Sequence, residues 1–161
     1  MTLSITKPSM IDILVLARDM SEEERAQFET ASGLQDVTPE TVARTLLAYR
    51  GVEYVMVDEK GAPVSAFGGF EVSTGVFQTW MLSRADAFEN HGLALTRACR
   101  KVLRGCLELE GFHRIQTLAS PHREGACAWY QRGLGMTLEG VLRKFFPDGS
   151  DAALFSIIKG D

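Results

Sequence analysis

At 161 residues the chain has the size of one domain, enough to bury a core, and no repeat, low-complexity tract or Pro/Gly/Ser linker divides residues 1–161. Its 17 Lys and Arg against 21 Asp and Glu leave a formal charge of -4, which argues against a nucleic-acid or anionic-membrane partner, since both require a basic footprint. The apolar run Met10–Ala17 is broken by Asp12, is too short for a membrane span and is poorly built for a signal peptide. Cys99, Cys106 and Cys127 show no paired metal-ligand spacing and read as small core hydrophobes of a reducing, cytosolic compartment.

Thr2–Thr6 alternates as a first strand, and Met10, Ile13, Leu14 and Ala17 carry helical spacing through Met20. Ser21-x-x-Glu24 predicts a capping box opening a second helix that Gly33 ends. Thr38-Pro39 opens a third, closed by Gly51. Glu53–Asp58, Pro63–Val72 and Val76–Leu82 then read as an antiparallel meander, with Gly68-Gly69 marking a bulge or a close backbone approach. A helix is expected over Leu93–Glu110, burying Leu95, Cys99, Val102, Cys106 and Leu109. A strand is expected over Ile115–Ala119, and Ser120-Pro121 signals a helix through Arg132. Thr137–Phe146 and Ala152–Ile158 flank the turn Pro147-Asp148-Gly149-Ser150. The order β-ααα-βββ-α-β-α-ββ is a mixed α/β fold.

That order resembles the GNAT N-acetyltransferase superfamily along nearly the whole chain. Four local stretches resemble a phage branch that includes the internal virion protein A of podophages: VLARDMSEEERAQFETASG from Val15, VSAFGGFEVSTGVFQTWML from Val64, CAWYQRGLGM from Cys127 and LRKFFPDGSDAALFSI from Leu142. The branch resemblance implies a non-catalytic or weakly catalytic part in virion assembly. Other virion proteins would be partners, and the location would be the host cytoplasm and the virion. The superfamily resemblance implies an alternative, an acyl-CoA-dependent N-acetyltransferase of a host protein or small amine, with acetyl-CoA as its cofactor and no metal. Open sheet edges leave room for a homo-oligomer.

For the enzymatic alternative, the family's pyrophosphate loop, Gln/Arg-x-x-Gly-x-Gly/Ala, is nearly spelled by Glu89-Asn90-His91-Gly92-Leu93-Ala94. In such a loop, backbone N–H groups and a helix N-terminus hold two phosphates. Glu89 puts a carboxylate there and Asp86 adds another, which Arg84, His91 and Arg97 could offset. Tyr130 resembles the family's proton donor to the departing thiolate, although the glycine before the hydrophobic residue follows five positions on rather than four, a turn of about 100° on an α-helix. Trp129 and Tyr130 are equally readable as packing residues. Glu71, with Gln78, is the candidate for the base. His91, His113 and His122 lack ligand spacing. The face formed by Arg97, Arg100, Lys101 and Arg104 is most simply solvated. Both functional readings stand on the sequence.

Overall fold

The computed structural model describes residues 3–49 and 51–160. Seven strands form one mixed sheet in the order β1-β2-β3-β4-β5-β7-β6. They are β1 (Ser4–Thr6), β2 (Val52–Val57), β3 (Pro63–Ser73), β4 (Val76–Ser83), β5 (Arg114–Ala119), β6 (Thr137–Leu142) and β7 (Ala152–Ile158). Only β4 and β5 run parallel, as the intervening helix requires. The helices are α1 (Met10–Asp19), α2 (Glu22–Ser32), α3 (Pro39–Ala48), α4 (Ala87–Glu108) and α5 (Glu124–Ala128). The mixed α/β order expected from the sequence is the observed one; of the first strand, Thr2 lies outside the described residues.

Strand alternation divides the core. Val55, Ala66 and Leu82 face α1 and α3, where Ile13, Leu16, Ala17, Val42 and Leu46 are buried. Met56 and Phe67 face α4 through Ala87, Leu95 and Cys99, and Val64 joins them because a bulge opposite Met56–Val57 takes it out of the alternation. Gly69 sits in an unbroken register, so no bulge forms there; its hydrogen lies under the Phe77 ring, where a Cβ would come to 2.3 Å. The close-approach reading of that glycine pair is the one realised.

Four helix boundaries differ from expectation, and the first is the end of α3 at Ala48, with Tyr49 rather than Gly51 closing it. α4 begins at Ala87, not Leu93, because fully buried Ala87 and nearly buried His91 draw the first two turns onto the sheet. At its other end Leu109 is the C-cap and half-exposed, outside the buried stripe. α5 begins at Glu124, because the Ser120 amide donates to the Gln27 side chain at 2.8 Å. It continues as a π-helix over Trp129–Gly133.

α2 buries none of its residues completely. Its role is spatial: Gln27 meets Ser120, Glu23 pairs with Arg123 at 2.9 Å, and Thr30 reaches Asp148 of the β6–β7 turn at 3.4 Å. It thereby walls one side of a cavity over the middle of the sheet.

Candidate active site

The parallel ladder between β4 and β5 holds for three pairs, ending at Gln78 and Gln116. The Thr79 hydroxyl makes one more link, to the Gln116 carbonyl at 3.2 Å. Beyond it β4 stays with β3 and β5 stays with β7, so the sheet splits. A cavity of about 780 Å³ opens over this split. It is bordered by Glu23, Glu24 and Gln27 of α2, by Trp80–Leu82 of β4, by Thr117 and Leu118 of β5, and by Arg123, Trp129 and Tyr130.

Glu24 is the most perturbed acid in this space. Burial pushes its carboxyl up to about 7; the Arg123 guanidinium and the Ser83 backbone amide favour the charged form but do not restore it, and Glu23 adds to the rise. Only half of the predicted capping box forms. The Ser21 hydroxyl accepts from the Glu24 amide at 3.1 Å, while the Glu24 carboxylate serves the cavity instead.

Tyr130 borders the same cavity and feels the Glu24 charge. Burial raises its phenol, Arg123 opposes this, the Glu24 charge adds to the rise, and the Thr117 hydroxyl beside it opposes it again. The π-helix explains how an extra residue is accommodated: the wider turn at 129–133 absorbs it, and Leu134 and Met136 still donate back to Trp129 and Tyr130 at 2.9 Å. Arg100 fastens the end of that turn by donating to the carbonyls of Gly133 and Arg132, so the basic face of α4 is partly engaged rather than simply solvated. Above it, Phe88 meets Trp129 edge-on at 5.0 Å, and the Trp129 indole donates to Thr96 at 2.9 Å. The Trp80 indole nitrogen, by contrast, is buried at the split without a hydrogen-bond partner among the described residues.

Other residues singled out in the sequence fall elsewhere. Glu71 is exposed at the far hairpin, where its carboxylate accepts from the Gly75 amide at 2.7 Å, away from the residues that border the cavity. Gln78 borders the cavity but is paired with Gln116 at 3.1 Å. Glu89, His91, Gly92, Leu93, Ala94 and Arg97 all lie inside α4 rather than in a loop. Leu93, Glu89 and Arg97 point to solvent, and a Cβ on Gly92 would meet nothing within 4 Å. His91 is turned to the Arg84 guanidinium at 3.2 Å. The expected loop is thus helix, and beyond its first turn, from His91 on, the backbone amides are spent on the helix's own carbonyls. The three cysteines are free, and burial pushes Cys99 up to about 12 and raises the other two, which leaves them as unreactive thiols at neutral pH. No group of three or more His, Cys, Asp or Glu able to hold a metal occurs among the described residues.

No family model matches the sequence, and no curated protein does. Solved structures do match in shape. Spermidine N-acetyltransferase from Vibrio cholerae, in complex with CoA and spermine, superposes with a TM-score of 0.74 at 11% identity, over 98% of this chain and 96% of that one. The ribosomal-protein-S5-alanine acetyltransferase of Vibrio fischeri gives 0.71 at 16%, over 100% and 95%. AAC(6')-Ib in complex with ribostamycin and coenzyme A gives 0.73 at 17%, over 99% and 94%. The chain has the GNAT fold.

On that fold the strand-to-helix junction after β4 is Arg84-Ala85-Asp86, followed by Ala87 at the start of α4. Against the GNAT loop motif it reads Arg84-x-x-Ala87-x-Glu89, five residues earlier than the sequence stretch that resembled it. No side chain of the described residues caps α4; its Ala87 and Asn90 amides donate to the Arg84 and Asp86 carbonyls at 3.1 and 3.0 Å, which leaves the Phe88 and Glu89 amides of the first turn for a ligand. Burial would raise Asp86, but Arg84 at 2.6 Å and Asn90 at 2.8 Å donate to it and hold it below the usual carboxylate range. Glu24, Arg123 and Trp80 border the cavity without having been assigned a role in chemistry from the sequence. Only the Ser21-x-x-Glu24 motif signalled one of them, and it signalled a cap.

Proposed function

We propose that the chain is an acyl-CoA-dependent N-acyltransferase acting on a primary amine. The observation that carries this reading is the split between β4 and β5, with Glu24 and Tyr130 both bordering the cavity over it. The residues at the split fit an amide-bearing arm. The facing edges of Thr79–Ser83 and Thr117–Ala119 are unpaired with each other, and the orphaned Trp80 N–H lacks an acceptor that a ligand carbonyl would supply. The first turn of α4, with Arg84, would hold the phosphates. Acyl-CoA when bound supplies the activated carbonyl.

Glu24, with its carboxyl at about 7, is ionised in half the molecules near neutrality, and so can take the proton that an ammonium must lose. Tyr130 keeps its phenolic proton through the same range and is a proton donor bordering the same cavity. The carboxylates of Glu23 and Glu24 favour a cationic acceptor at the α2 side. The likeness to an enzyme crystallised with CoA and spermine is in keeping with this. The virion role rests on the phage-like wording of the sequence alone, and neither the fold nor the structural likenesses add support to it.

Calorimetric titration with CoA and acetyl-CoA tests the reading directly. Micromolar binding is expected, together with thiol release when a panel of primary amines is added. Tyr130→Phe should lower kcat by about 10²-fold, in the usual range for a positioned acid, with affinity retained. Absent or millimolar binding at neutral pH would overturn the proposal.

A further inference from the structure

A second, smaller cavity of about 50 Å³ lies on the opposite face of the sheet, between β4, β5 and α4. Six residues, Thr79, Trp80, Met81, Thr117, Trp129 and Tyr130, border both cavities. The two voids therefore meet at the split, beside the proposed acid. Below that junction the lining is hydrocarbon, aromatic and thiol: Phe77 and Ile115 from the sheet, and Cys99, Val102 and Cys106 from α4. Of its polar groups, Thr79 is engaged with the Gln116 carbonyl, Trp129 with Thr96 and Thr117 with the Tyr130 phenol, while the Trp80 N–H, at the junction itself, has no partner among the described residues. Water entering it would find too few partners, so the space is suited to an apolar group. Cys99 and Cys106, seven apart on one helix face, stand where two leucines would have closed it.

We infer that this cavity takes the aliphatic tail of a short-chain acyl thioester, so that the preferred donor is a four- or five-carbon acyl-CoA rather than acetyl-CoA. The inference rests on the acyltransferase reading and refines it. A cavity needs about 10–15 Å³ to hold one water-sized group, so this one takes roughly three or four carbons beyond a carbonyl placed at the split. Acetyl would fill a fraction of it, and chains longer than about six carbons would meet Cys106, Val102 and the α4 backbone.

The test is a calorimetric series with CoA, acetyl-, butyryl-, pentanoyl- and octanoyl-CoA on the full chain and on Cys106→Phe, which fills the cavity. Affinity is expected to rise roughly fourfold per methylene up to five carbons and to fall at eight. In Cys106→Phe the butyryl-to-acetyl affinity ratio should drop to about one. A flat series with CoA itself binding overturns this inference and leaves the acyltransferase reading intact. Failure of CoA to bind overturns both. A gradient that persists in Cys106→Phe places the tail elsewhere and overturns the assignment. Should Cys106→Phe lose its cooperative melt, Cys106→Met supplies the same comparison with a smaller insertion.

Discussion

Replacing Glu24 by glutamine separates the stability of this site from its chemistry. The carboxyl rises from 4.5 to about 7 on folding, which corresponds to roughly 3 kcal/mol. Below pH 4.5 the carboxyl is protonated in both states and contributes nothing. As pH climbs from 4.5 to 7 the unfolded chain sheds the proton first, so the folded state loses stability across this window and the loss is complete above 7. Arg123 and Glu23 are the charged groups facing it, and their effects are already contained in the rise. Glutamine keeps the shape and cannot ionise. Glu24→Gln should therefore melt about 2–8 °C above wild type at pH 8.5, for a gain of about 1–2 kcal/mol after solvent screening, and within a degree of it at pH 4. The same variant should lose turnover and the acidic limb of the kcat/KM profile near pH 7. Differential scanning calorimetry at both pH values is sufficient. An equal gain at both, or none at pH 8.5, would show that Glu24 is not desolvated and would remove the base from the mechanism.

Gly92→Ala adds a methyl to open space inside α4 and should stabilise the chain by about 0.8–1 kcal/mol, read as a higher Tm, with CoA affinity unchanged; loss of binding would return the cradle to Gly92. Asp86→Asn removes a carboxylate from the first turn of α4 and frees Arg84, so CoA should bind about tenfold tighter, by roughly 1.4 kcal/mol, with the gain shrinking as salt is added. Gly133→Ala would drive a Cβ to 2.4 Å from the Trp129 ring, and thermal melts should show a loss of about 1–3 kcal/mol.

Much of the fold was legible because the local signals agree with the global one. Thr38-Pro39, the strand alternation and the Asp148-Gly149 turn each fix an element without help from distant residues. The start of α4 was not legible. Its first turns contain Asn90, His91 and Gly92, weak helix formers, and are held by burial of Ala87 against the sheet, a tertiary effect that overrides propensity. The site itself divides similarly. Tyr130 was readable from its place on the last helix, although only the structure shows a π-turn taking up the surplus residue. Glu24 was misassigned because a serine three residues before an acid is a complete local explanation. The Ser83 amide that shares it lies on a different element, outside any sequence window.

The cavity's walls come from widely separated parts of the chain: α2 near the start, and Arg123, Tyr130 and the Phe145–Pro147 turn near the end. On a ribosome, the segment carrying Glu24 emerges long before the surfaces that enclose it, and closing so wide a loop is the entropically slowest kind of step. Until those later segments have been made, a growing chain holds that acid in water, where it is ionised at neutral pH. The proton affinity that would make it a base is acquired only once the closing hairpin docks.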